Sequence, residues 1–158
     1  MAMMRHLGGL RVELVLLLVL CLMALDAADS KAEFVGGTLP SFKSGQDGRL
    51  TLDNTDLMMF GSKQNQVSIP YSQVRSIEYG QKADRRYLEA ILVSPMFLLS
   101  KKRDHYLTIH YKDEKGYDQA LVLRLPKSAV RPTLASLEAR TGLKVKVQDD
   151  EARKAYRS

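Results

Sequence analysis

Most of the chain alternates apolar and polar positions in short runs broken by turn residues about every ten positions, the rhythm of an antiparallel sandwich or small barrel. Residues 33–39 read as a weak strand loosened by Gly36 and Gly37, and residues 40–48 as a polar loop. Residues 49–52 and 56–60 flank Asp53-Asn54-Thr55, whose side chains bond their own backbone in turns, which predicts a hairpin. Val67, Ile69 and Tyr71 alternate, and Val74, Ile77 and Tyr79 resume after a short bend, so strand, tight turn, strand is expected, with Pro70 marking an edge or strand end. Leu107, Ile109 and Tyr111 share one face of a strand, Asp113-Glu114-Lys115-Gly116 turns it, and Leu121, Leu123 and Leu125 share one face of the return.

The period then changes. Val130, Leu134 and Leu137 fall at helical spacing over residues 127–141, Pro132 is placed in the first turn, and Gly142 suits a left-handed stop. Leu143, Val145 and Val147 alternate with Lys144 and Lys146, as on a protected edge strand, and residues 148–158 read as a polar, flexible tail.

The first 28 residues differ from the rest. Arg5, His6 and Arg11 precede the 12-residue apolar run LVLLLVLCLMAL, closed by DAAD, which reads as a signal peptide cut after Ala27. The run is short of the ~20 apolar residues that span a bilayer, so export and cleavage of residues 1–27 are expected, to a periplasmic or extracellular destination. Removal of this leader takes away Cys21, the chain's one cysteine, and two charges of each sign, leaving the net charge at +6. The remaining β domain, residues 28–147, would stand on its core alone, without disulfides.

The phrase VSIPYSQVRSIEYG, a strand ending in Ile-Pro-Tyr, a bend, then Val-Arg-Ser-Ile-Glu, is similar to bacterial pleckstrin-homology-like and GRAM-like domains. Residues 48–52, 57–60 and SKKRDHYLTIHYKDEKG sit where that family has its early hairpin and central strand pair. The resemblance spans residues 32–147. It implies a mainly β fold: a pleckstrin-homology-like antiparallel sandwich or partly open barrel with one C-terminal α-helix. The basic pattern of lipid-binding members is matched only by Lys43 and by Arg49 followed by Thr51, so phosphoinositide binding is not implied. No Trp is present, which leaves Leu134 or Leu137 to pack the helix.

Candidate chemistry is sparse. His105 and His110 are five apart on one strand and so face opposite sides; His105 shares a face with Leu107 and Ile109 and reads as a partly buried, hydrogen-bonded residue. No Gly-x-Ser-x-Gly elbow, phosphate-binding glycine loop or dinucleotide fingerprint occurs, so no catalytic residue, metal or cofactor is assigned and the chain reads as non-enzymatic. The evenly spread charge favours solubility over nucleic-acid binding.

One segment stands out. Arg85-Arg86 and Lys101-Lys102-Arg103 bracket the apolar stretch YLEAILVSPMFLL, which carries Met96 and Phe97. These seven residues, Arg85, Arg86, Met96, Phe97, Lys101, Lys102 and Arg103, are the candidate binding residues. The sequence thus presents an exported, monomeric binding or scaffolding module that recognises a protein or peptide partner at the cell envelope. The alternative is peripheral binding to an anionic membrane through residues 85–103, where each basic residue near the surface contributes ~1 kcal/mol.

Overall fold

The structure is a computed structural model that describes residues 29–81 and 104–157. Among these residues eight strands form one sheet: β1 (Ser30–Gly37), β2 (Gln46–Thr51), β3 (Leu57–Gly61), β4 (Gln66–Pro70), β5 (Val74–Gly80), β6 (His105–Lys112), β7 (Asp118–Leu125) and β8 (Lys146–Val147). Among the described residues the α-helices are α1 (Lys127–Thr141) and α2 (Asp150–Arg157). The spatial order is β4-β3-β2-β1-β7-β6-β5-β8, antiparallel except for the parallel β5–β8 pair.

Although β4 and β5 lie far apart in that order, only the 3₁₀ turn Tyr71–Gln73 joins them. Three residues reach at most about 11 Å, so the sheet must curl until its two halves face each other. Its end strands do not pair, and the result is a mainly β, partly open sandwich with a helix after the last long strand.

Alternation decides what lies inside. Ala32, Phe34, Leu50, Met58, Phe60, Ile69, Ile77, Leu107, Ile109, Leu121 and Leu123 are buried in one core. Phe34, Phe42 and Phe60 cluster there, with Phe42 and Phe60 centroids 5.3 Å apart. Helix α1 adds Val130, Thr133, Leu134 and Leu137, and packs on β1 and the 3₁₀ turn. Both leucines proposed to replace a tryptophan are fully buried. On the outer face of β5, β6 and β7, Glu78, Tyr106, Thr108, Ala120 and Val122 are buried too, so these strands are shielded on both sides.

Three expectations change. Strand β1 runs over Ser30–Gly37 and not over residues 33–39; its register with β7 shifts between Phe34 and Gly36, and Gly37, at φ 148°, presses against the Ala120 carbonyl, where an added Cβ would lie 2.2 Å from the oxygen. Pro132 lies in the interior of α1, not its first turn. The proline ring removes one helical hydrogen bond, but Pro132 and Ser128, one turn before it, both face solvent, where water can take the freed carbonyl.

The third concerns residues 148–158, which are not a loose tail, since Asp150–Arg157 is helical. Asp149 accepts the Ala152 N–H at 2.6 Å, a helix N-cap, while Ala152 and Tyr156, four apart on one face, pack on the core. The Tyr156 hydroxyl donates to Glu138 Oε2 at 3.1 Å, tying α2 back to α1.

Elsewhere the expected elements recur with shifted limits: β2 begins at Gln46, inside the expected loop over residues 40–48, and of the alternating stretch over residues 143–147 only Lys146–Val147 is strand. Helix α1 ends at Gly142, at φ 70°, whose N–H donates to the Glu138 carbonyl. Lys146–Val147 pairs with the edge of β5, and the Gln148 N–H extends that ladder to the Tyr79 carbonyl at 2.9 Å.

Candidate functional site

An open groove of about 880 Å³ lies on the outer face of β1, β2 and β3, reaching the ends of β6 and β7. Its side chains come from the polar parity of strands whose other parity fills the core. Register places Lys31 opposite Arg49 and Glu33 opposite Asp47, while Arg49 faces Gly61 and Glu33 faces Arg124. Two rows therefore run across the strands: Gly61, Arg49 and Lys31 in one, and Asp47, Glu33 and Arg124 in the next. Lys63 sits at the rim in the β3–β4 turn, and Asp104 at the far end.

The ion pairs leave the centre of the gap between the rows open. Arg49 Nη1 bonds Asp29 Oδ2 at 2.7 Å, on the side of its row away from the gap. Arg124 is held by Glu33 on one side and by Asp104 Oδ2, 3.3 Å away, on the other. Burial opposes the guanidinium charge, but these two carboxylates override it and raise the Arg124 pKa. Lys31, Asp47 and Lys63 make no ion pair among the described residues and are exposed.

The histidines are placed elsewhere. His105 is in the core, its Nδ1 2.6 Å from the Tyr79 hydroxyl, with the rings nearly parallel and 6.0 Å apart. Burial holds its pKa below the ordinary histidine value; Lys127 pushes the same way and Asp104 opposes. The sequence reading of a buried, hydrogen-bonded residue agrees with this environment. His110 is on the other side of β6, its Nε2 4.0 Å from Glu78 Oε1. Among the described residues no group of three His, Cys, Asp or Glu is arranged to hold a metal ion, and no helix is long and apolar enough to cross a membrane.

Arg140 ties α1 to the turn between β2 and β3. Its guanidinium donates to the Asn54 carbonyl at 2.6 Å and lies 5.8 Å from the centroid of the Tyr71 ring. The Tyr71 hydroxyl is buried without a hydrogen-bond partner among the described residues, and burial raises its pKa, with Arg140 opposing.

The seven residues singled out by sequence, Arg85, Arg86, Met96, Phe97, Lys101, Lys102 and Arg103, all lie outside the described residues. The sequence alone assigns none of the groove residues to binding, and Arg49 enters that reading only within the family comparison. The available signal was opposite charge at i and i+2 on the polar parity of two paired strands, Lys31/Glu33 and Asp47/Arg49. No protein-family model matches the chain, and no curated protein is significantly similar to it.

Proposed function

We propose that the chain is an exported, non-enzymatic binding module of the cell envelope that recognises a protein or peptide partner through the charged groove on β1–β3. The observation that carries this reading is the groove itself: an open trough lined by cations and acids whose ion pairs leave its centre open. Such a surface has charge for orienting a partner and room to admit one. The antiparallel meander followed by α1 supports the pleckstrin-homology-like resemblance, and the apolar leader supports export. That fold type carries many ligands, so the groove and not the fold directs the assignment.

The test is a photo-crosslinking residue at position 63, on the groove rim, in the full chain expressed in its own cells. Position 117 is the control, since Tyr117 is 65% exposed at the far β6–β7 hairpin. A discrete protein adduct at 63 that is missing at 117 is expected. Equal labelling at both positions, or none at 63, would overturn the reading. Flotation of the full chain with anionic but not neutral vesicles, fading with salt, would instead give the binding role to a membrane surface.

A further inference from the structure

The two rows of the groove differ in sign at their centre. Arg49 and Lys31 are neighbours in one row, Asp47 and Glu33 in the other, and each strand contributes one residue to each. Neighbouring strands lie ~4.8 Å apart and positions i and i+2 on one strand about 6.7 Å apart, so a cationic rail faces an anionic rail across a trench about 6.7 Å wide. Inward-facing Ala32 and Gly48 leave only backbone on the trench floor. Among the described residues no ion pair bridges the rails; Arg49 pairs with Asp29, and Glu33 with Arg124.

Gly61 continues the cationic rail with no side chain. Packing does not require a glycine there, because an added Cβ would meet nothing closer than Gln66 Cγ at 3.8 Å. Its absence leaves that end of the trough low enough for a backbone to enter.

We propose that this trench takes an extended peptide in which acidic and basic residues alternate. An extended chain sends successive side chains to opposite sides. Lying along the trench, its acids meet Arg49 and Lys31 while its bases meet Asp47 and Glu33. A uniformly acidic or basic chain satisfies one rail and is repelled by the other, so the pattern of charge is selected and not its sum. This rests on the groove being the partner site, and it names that partner's chemistry.

The test titrates the ¹⁵N-labelled full chain with four octapeptides: alternating Glu-Lys, a Glu₄Lys₄ block, all-Glu and all-Lys. Alternating Glu-Lys should shift the amides of Lys31, Glu33, Asp47, Arg49 and Gly61 and bind at least fivefold more tightly than the other three. The charge exchange Lys31→Glu with Asp47→Lys preserves net charge and alters only exposed positions; it should lower that affinity at least fivefold without moving the thermal midpoint. Equal binding of the block or of either homopolymer, or no groove shifts at all, would overturn the proposal. An adduct at position 63 together with failed peptide titrations would discard this peptide class while keeping the site. Failure of both would discard both.

Discussion

Gly48 and Gly61 sit near each other on paired strands yet should respond oppositely to the same added methyl group. A Cβ on Gly48 points inward and would lie 2.6 Å from the Gly61 carbonyl oxygen and 2.7 Å from Cζ of Phe60. Neither neighbour can yield easily: the carbonyl belongs to the strand backbone, and Phe60 is 1% exposed, wedged against Phe34 and Phe42. Overpacking of this kind costs about 1–3 kcal/mol. Replacing glycine by alanine returns roughly 0.4–1 kcal/mol through the unfolded chain. Gly48→Ala should therefore lose about 1–2 kcal/mol, a fall in thermal midpoint of roughly 2–8 °C for a chain of this size. Gly61→Ala meets no such contact and should match or slightly exceed the parent. Circular-dichroism melts, with urea titrations to check that the m-value is unchanged, would measure both. Phe60→Leu, itself destabilising, should restore part of the loss in the Gly48→Ala background, because the two residues share one space. A Gly48→Ala protein as stable as the parent, or equal losses at positions 48 and 61, would refute the packing described around Phe60.

Two further expectations concern titrating groups. His105 has a lowered pKa in the fold, so the unfolded chain binds the proton more readily; its contribution is complete above the ordinary histidine value of 6.5 and is lost as pH falls through that value toward the lowered one. The thermal midpoint should drop between pH 7.5 and 5.5, and less so in His105→Gln, whose side chain carries no charge. Glu138 is held below its ordinary value first by the Val145 N–H, against burial, and then by Tyr156 and Lys144. Glu138→Ala should raise amide exchange over residues 145–148 at least tenfold while leaving β6 and β7 protected; in the parent the same loosening should appear as pH falls below 4.5 and through the lowered value.

The strands were legible because their alternation is imposed by a single core: Leu107, Ile109 and Tyr111, or Leu121, Leu123 and Leu125, can be read off the chain and are buried together. Helix α1 was legible for the same reason at a different period. Helix α2 was not, since eight mostly polar residues look like solvated tail until Asp149 caps them, Ala152 and Tyr156 pack on the core and Glu138 receives the tyrosine. The burial of Tyr106, Thr108 and Val122 was equally hidden, because neutral residues on the second face of a strand carry no periodic signal. The groove escaped for a reason of register. Lys31 and Arg49 are 18 positions apart in sequence and become neighbours only when β1 and β2 pair, so opposite-signed rails exist in the sheet and nowhere in the linear pattern.

The pairing of β1 with β7 bears on the order of assembly. Glu33 meets Arg124 across 91 intervening steps of chain, and this contact joins the β1–β4 meander to β5–β7. A chain folding from its N-terminus can form β1 to β4 early, but that half carries an open strand on one side until nearly the whole sequence has emerged. Closing so long a loop is entropically slow, and rates fall as non-local pairings dominate. Refolding should thus be limited by the docking of two preformed meanders, and the interval before docking, with β1 unsatisfied, is when the chain is most exposed to mispairing with its own kind.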